Sequence, residues 1–312
     1  MASVLNADRD TVAVELYGPV GRSAWLDVDW RAHQRWVNVA GRPINVIDIG
    51  PGADAGPAQG TIVFIHGLSG SWPNWLENLP FFAAAGYRCI AMDLPGFGAS
   101  PMPAETFTIS RCAAWVDELL RVLGVTRAIV IGNSMGGFIG LELAIAFSTT
   151  VERLVLVSAA GLTVESQRGL FRAVKPLSRA LGMGTAWLAS QSDELARRPR
   201  SRKAMMKIVT AHGDRLPAAL VAEQLRGSGK PGFVDAFDAL TDYPIRERLP
   251  EIAAPTLVVW GEDDPLVPVR DAWMFGELIP DARVVVYEDT GHVAMFERPA
   301  AFNALVEAFL RE

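Results

Sequence analysis

From about residue 60 onward the chain alternates between two hydrophobic patterns. Short runs that are apolar at nearly every position occur at 61–66 (TIVFIH), 89–93 (CIAMD), 128–132 (AIVIG), 154–158 (LVLVS), 256–261 (TLVVWG) and 283–288 (RVVVYE). A strand with one solvated face alternates apolar and polar positions, whereas continuous runs suit strands covered on both faces. Between them lie longer stretches with helical character at 109–123, 136–147 and 271–279, and another at 300–310 closes the chain. Alternating strands and helices predict a doubly wound, mostly parallel α/β sheet with right-handed crossovers. Ahead of this region, 35–38 and 44–49 flank Ala40-Gly41-Arg42-Pro43, a hairpin turn that adds antiparallel strands at one edge.

One interval breaks the rhythm. The residues between Ser158 and Thr256 are far more than one crossover needs. Within them Leu170, Val174, Leu177 and Leu181 recur at spacings of four, three and four, the mark of an amphipathic helix. Further short helices are expected at 204–212 and 218–225. The predicted organisation is an N-terminal extension (1–34), a core formed by 35–161 and 246–312, and a helical cap inserted as 162–245. Ligands of open α/β sheets bind beyond the carboxyl ends of the strands, so an insertion leaving from such an end roofs the site.

Composition narrows the function. The 312 residues are half apolar, and 29 basic against 35 acidic side chains give a net charge of −6. Such a chain repels phosphate backbones on average, so nucleic acid is not an expected partner. No apolar run approaches the roughly 18 residues of a membrane span. The first residues, MASVLNADRDT, combine neither a basic start nor an apolar stretch, so no secretory signal is read and a cytoplasmic location is expected. Cys89 and Cys112 lie in apolar surroundings and are expected to be buried fillers. No metal-ligand spacing and no Gly-x-Gly-x-x-Gly pattern occurs, so neither metal nor cofactor is expected.

The chemistry concentrates in a few loops. Gly132-Asn133-Ser134-Met135-Gly136 follows an apolar strand and opens a helix, the context that gives Gly-x-Ser-x-Gly its meaning. The turn is sharp enough that its flanking residues must be nearly free of side chain, and it presents the Ser134 hydroxyl as a nucleophile. The Met135 amide at the helix start faces the oxyanion that attack by Ser134 creates. A serine needs a base. Of His33, His66, His212 and His292, only His292 sits on a glycine loop between the last strand and the closing helix. His66 reads as a loop brace, and His33 and His212 as surface or packed residues. The carboxylate that orients the imidazole is sought in Glu262-Asp263-Asp264-Pro265, where Asp264 is preferred over Asp263 and Glu262. The second oxyanion amide is assigned to Leu68, with Ser69 as the alternative, because Gly67 lets that turn fold inward.

These motifs resemble the α/β-hydrolase superfamily in its lidded serine-hydrolase branch. The resemblance spans about residues 35–312 through HGLSGS at 66–71, DLPGFGAS at 93–100, GNSMGG at 132–137, GEDDPLVP at 261–268 and GH at 291–292. It implies the Ser134, Asp264, His292 triad and a loop at 93–100 beside the nucleophile whose acid, Asp93, is structural. Relatives that remove halide or open epoxides use aspartate as nucleophile, and serine at 134 favours acyl transfer instead. GNSMGG also resembles the hydrolases that cleave carbon–carbon bonds of aromatic ring-fission products. Against that stand the short run Leu68-Ser69-Gly70-Ser71 and Val293 where those enzymes tend to carry tryptophan.

The expected function is cofactor-independent hydrolysis of a small apolar ester, thioester or lactone by a monomer or homodimer. Carbon–carbon hydrolysis of a vinylogous diketone is the alternative, and a non-catalytic ligand-binding member of the fold is a third reading. Ser69, Trp72, Trp187 and Val293 are the expected substrate contacts. Trp75 is read as pocket wall or core, Met183, Met205 and Met206 as an apolar roof, and the basic run 197–203 as a solvated face.

Overall fold

The computed structural model describes residues 9–52, 56–163, 184, 187, 189–241 and 243–312. Its strands are β1 (Arg9–Val12), β2 (Gln34–Val39), β3 (Arg42–Ile49), β4 (Thr61–Ile65), β5 (Arg88–Met92), β6 (Ala128–Asn133), β7 (Val151–Val157), β8 (Thr256–Gly261) and β9 (Ala282–Tyr287). They join in one sheet of order β1-β9-β8-β7-β6-β4-β5-β3-β2, which puts β6 at the centre. Pairing is parallel except where β3 meets β2 and β5. This is an α/β-hydrolase fold, with the mostly parallel sheet the hydrophobic runs predict.

Both faces of the sheet are buried, which is why its strands lack alternation. On β4, Val63 and Ile65 join one cluster with α3 (Ile109–Val122) and α4 (Met135–Ala146). Ile62 and Phe64 join the opposite cluster with α2 (Leu79–Ala84) and the C-terminal helix Pro299–Leu310. Cys89 and Cys112 are free and buried, and burial pushes both thiols up. No helix among the described residues is long and apolar enough to cross a membrane.

The structure departs from the sequence reading in several places. β1 is an extra edge strand pairing in parallel with β9; its sequence, RDTV, is too short and polar to signal itself. The hairpin turn contains two residues rather than four. Ala40 and Gly41 both adopt positive φ (49° and 85°), and β3 starts at Arg42. Pro43 is tolerated inside β3 because pairing to β5 begins only at Val46. A short helix, α1 (Trp30–His33), precedes β2.

Between β7 and β8 the described helices are α5 (Ser192–Arg197), α6 (Pro199–Met206), α7 (Ala218–Arg226) and α8 (Phe233–Thr241). The repeat Leu170, Val174, Leu177 and Leu181, together with Met183, lies outside the described residues. The helix expected at 204–212 is displaced. α6 starts at Pro199 and ends at Met206, and the following backbone bonds to the loop after β9 instead of continuing the helix. The basic run is not wholly solvated. Arg202 is buried and donates from Nη1 to the carbonyls of Ala196 (2.7 Å) and Arg197 (3.3 Å) at the end of α5, and from Nη2 to that of Asp214 (3.1 Å).

These helices are stitched to the carboxyl-end loops of the sheet. Gln224 of α7 accepts from Asn74 Nδ2 (2.6 Å) and donates to the Pro73 carbonyl (2.9 Å), beyond β4. The Gly232 amide donates to Gly96 O (3.0 Å), beyond β5, and the His292 amide to Val209 O (2.9 Å), beyond β9. The remaining helices are α9 (Arg270–Leu278), α10 (Ala294–Glu297) and α11 (Pro299–Leu310).

Candidate active site

The centre of the site is the turn from β6 into α4. Ser134 takes φ 54°, ψ −115°, a backbone conformation L residues rarely adopt, and is half-buried. Holding a non-glycine residue there costs on the order of 1–3 kcal/mol, which the packing around it must offset. The neighbouring glycines show what enforces it. A Cβ on Gly132 would lie 2.3 Å from the Gly136 carbonyl oxygen, and one on Gly136 would lie 2.1 Å from the Ile65 carbonyl oxygen. Strand, turn and helix meet too closely for any side chain. The first amide of α4, that of Met135, has no intrahelical carbonyl to serve and lies at the positive end of the helix.

The turn after β4 closes over the same point. A Cβ on Gly67 would sit 3.2 Å from Ser134 Cβ, so Gly67 lies against the serine, and Leu68, the next residue, is half-buried. Gly70 N donates to Gly67 O (3.0 Å), and Ser69 has φ 63°. His66 braces this turn. Its Nδ1–H donates to Gly67 O (2.8 Å) and its Nε2 accepts from the Leu94 amide (3.0 Å). Burial pushes the His66 imidazole below its ordinary pKa, against the raising effect of Asp93 and the Gly67 bond. Asp93 accepts from the amides of Trp72 and Ala99 and from Asn45 Nδ2, each at 2.8 Å.

His292 and Asp264 meet at the carboxyl edge. His292 Nδ1 lies 2.7 Å from Asp264 Oδ2, and both side chains are buried. Asp264 Oδ1 accepts from the amides of Leu266 (2.8 Å) and Val267 (3.0 Å). Glu262 and Asp263 are exposed. A carboxylate only accepts, so Nδ1 carries the imidazole proton and Nε2 presents a lone pair. The backbone of His292 is tied to the serine turn as well, because Asn133 Nδ2 donates to His292 O (3.2 Å) and to Val157 O (3.1 Å).

The expected substrate contacts are more dispersed. Val293 is buried and is the N-cap residue of α10. Trp72 is half-buried, its ring 5.0 Å from that of Trp30. Trp187 is 60% exposed, Met206 is buried, and Trp75 is fully buried against Phe64. His212 is not isolated; its Nε2 lies 2.5 Å from Asp289 Oδ1.

Two side chains that hold this site were not singled out from sequence. Asn133 occupies the variable position of Gly-x-Ser-x-Gly, where any residue satisfies the motif. Glu297, five residues beyond His292, accepts from the Gly291 and Val293 amides. The signal for it was a lone acid inside the apolar stretch VAMFE.

A family profile described as alpha/beta hydrolase fold matches residues 60–299. The chain is 31% identical over 276 residues to a 2-hydroxy-6-oxononadienedioate/2-hydroxy-6-oxononatrienedioate hydrolase of Comamonas testosteroni, covering 82% of this chain and 89% of that protein. Among solved structures, an esterase from Exiguobacterium antarcticum superposes with TM-score 0.72 at 25% identity, covering 89% and 99% of the two chains. Est816, described as an N-acyl homoserine lactone degrading enzyme, gives TM-score 0.66 at 27% identity and covers 88% and 100%. The chain belongs to the α/β-hydrolase family.

Proposed function

We propose that the protein is a serine hydrolase acting on an ester, thioester or lactone of modest size and apolar character, through an acyl-enzyme on Ser134. The observation that carries the reading is the buried His292–Asp264 pair at 2.7 Å, whose backbone Asn133 ties to the strained turn bearing Ser134. Ser134 Oγ attacks the carbonyl carbon while His292 Nε2 takes its proton, and the Asp264 carboxylate stabilises the imidazolium through Nδ1–H. The tetrahedral oxyanion is held by the amides of Leu68 and Met135. Collapse expels the alcohol or thiol, which receives the proton from Nε2. Water then repeats the sequence on the acyl-enzyme and frees Ser134. The helices between β7 and β8 form the roof as part of a cap over 162–245. Ser69 and Val293 line the acyl side, and Trp72 and Trp187 are outer apolar contacts. The likeness to the Exiguobacterium esterase and to Est816 supports an acyl substrate.

The test is turnover of short p-nitrophenyl esters together with labelling by a fluorophosphonate. Both are expected in the wild type and absent in Ser134→Ala; turnover unchanged in that variant would overturn the assignment. A second reading, carbon–carbon hydrolysis of a vinylogous diketone, is favoured by the 31% identity to the Comamonas hydrolase. Rapid bleaching of a yellow dienol diketone, with only weak esterase activity, would establish it in place of the first.

A further inference from the structure

Glu297 is almost wholly enclosed, yet its carboxylate faces donors from three separate parts of the chain. Oε1 accepts from the amides of Gly291 (3.0 Å) and Val293 (3.2 Å), the two residues flanking His292. Oε2 accepts from Gly291 again (3.1 Å), from the Ala211 amide (2.8 Å) in the segment after α6, and from the Tyr17 hydroxyl (2.5 Å) ahead of α1. Tyr17 in turn accepts from the His212 amide (2.9 Å). The His292 amide itself donates to Val209 O (2.9 Å). A Cβ on Gly291 would lie 2.8 Å from Thr210 Cα, so the histidine loop and the segment 209–212 are in direct backbone contact.

The charged surroundings fit an anionic centre. Arg298 is buried, places its guanidinium 4.7 Å from the Tyr17 ring centroid, and donates to Val14 O (2.9 Å), Asp289 O (2.8 Å) and Thr290 Oγ1 (2.9 Å). The His212–Asp289 contact and Arg215, 3.8 Å from Asp289, lie on the outer side. Burial pushes the Glu297 carboxyl upward, and the Tyr17 hydroxyl and the three backbone amides oppose that push. Three backbone amides, which can only donate, converge on the two oxygens together with the Tyr17 hydroxyl, an arrangement that serves a carboxylate.

We infer that Glu297 is a positioning residue for His292, and that through it the imidazole's placement depends on the cap segment Val209–His212 and on Tyr17 of the N-terminal segment. The inference rests on the reading of His292 as general base. Glu297 never touches substrate. It fixes the two peptide units beside the base, and the same oxygens hold the cap strap, so displacement of that strap loosens the loop carrying the imidazole. The Ser134–His292 geometry is then complete only with the cap seated. A misplacement of about 1 Å in such a constellation can cost on the order of a hundredfold in rate.

The test is Glu297→Gln, with Tyr17→Phe as the milder second variant. In glutamine one oxygen still accepts from the Gly291 and Val293 amides, while the new NH2 group meets the Ala211 N–H donor to donor, so the loop bond survives and the cap bond is lost. Tyr17→Phe removes one donor to Oε2 and the acceptor for the His212 amide. Active sites are titrated with fluorophosphonate, and kcat and KM for a p-nitrophenyl ester are expressed per titrated serine beside the melting temperature. The expected result is kcat lower by about tenfold in Glu297→Gln and by about threefold in Tyr17→Phe, with KM changed less than twofold. A purely structural role would lower the melting temperature and the titrated fraction but leave kcat per site at the wild-type value, and that outcome overturns the inference. If Glu297→Gln does not fold, Tyr17→Phe decides by the same criterion. Failure of the wild type to label, or activity in Ser134→Ala, would instead sink the triad itself, so the two failures are distinguishable.

Discussion

Replacing Asp264 with asparagine separates the charge of the proposed triad acid from its geometry. Two backbone amides, Leu266 at 2.8 Å and Val267 at 3.0 Å, point at Oδ1. Only a carbonyl oxygen satisfies that position, so the asparagine NH2 must take the place of Oδ2, 2.7 Å from His292 Nδ1. Two N–H groups cannot face each other there. The imidazole answers by moving its proton from Nδ1 to Nε2, which then has no lone pair with which to take a proton from Ser134. A trapped tautomer of this kind lowers kcat by about 10⁴ in serine hydrolysis, equivalent to about 5 kcal/mol of transition-state stabilisation. The assay is initial-rate hydrolysis of p-nitrophenyl butyrate with kcat and KM resolved, run beside Glu262→Gln and Asp263→Asn. Those two acids are exposed, and both variants are expected to keep wild-type rates with KM changed less than a few-fold. An Asp264→Asn enzyme retaining more than a tenth of wild-type kcat, or a collapse in Asp263→Asn, would refute the reasoning.

Gly136→Ala places a methyl group 2.1 Å from the Ile65 carbonyl oxygen; with backbone on both sides the clash cannot relax, and we expect destabilisation above about 3 kcal/mol in urea unfolding and loss of fluorophosphonate labelling. His66 is held neutral by burial, with its folded pKa below the unfolded value of about 6.5. Between those two values the unfolded chain binds one more proton than the native one, so stability falls as pH drops through that window by at most about 1.4 kcal/mol per pH decade. Melting curves between pH 7 and 5 should therefore be flatter for His66→Gln than for the wild type, by up to one proton; equal slopes would show that His66 is not the titrating group.

How far the sequence discloses this molecule depends on where each element's stabilisation originates. The central strands were legible because residues such as Val63, Phe64, Val258 and Val259 are buried on both faces, which leaves an unbroken apolar run. Ser134, Asp264 and His292 were legible as loop residues at the ends of such runs, where small neighbours and turn chemistry leave local signals. Edge and cap elements depend on distant partners. β1 exists through its register with β9, Thr11 opposite Val286. Residues 207–212 have enough apolar character for a helix, but Val209 O serves the His292 amide and the Ala211 amide serves Glu297. Arg202 read as one more solvated cation because no local pattern announces that its guanidinium closes the end of α5. Asn133 reaches His292 across 159 residues, and Glu297 reaches Gly291, Ala211 and Tyr17 across 6, 86 and 280, through hydrogen bonds that a spacing rule does not encode.

The pairing of β1 with β9 carries a consequence for biosynthesis. Arg9–Val12 leaves the ribosome before every other described strand of the sheet, and its partner Ala282–Tyr287 leaves after them all. Contacts of such large sequence separation form late because the intervening chain must be ordered first. The nascent polypeptide therefore carries the turn bearing Ser134 long before Asp264 and His292 are translated. A ribosome stalled short of residue 264 holds the Ser134 turn without the paired side chains of Asp264 and His292 that the completed sheet brings to its carboxyl edge.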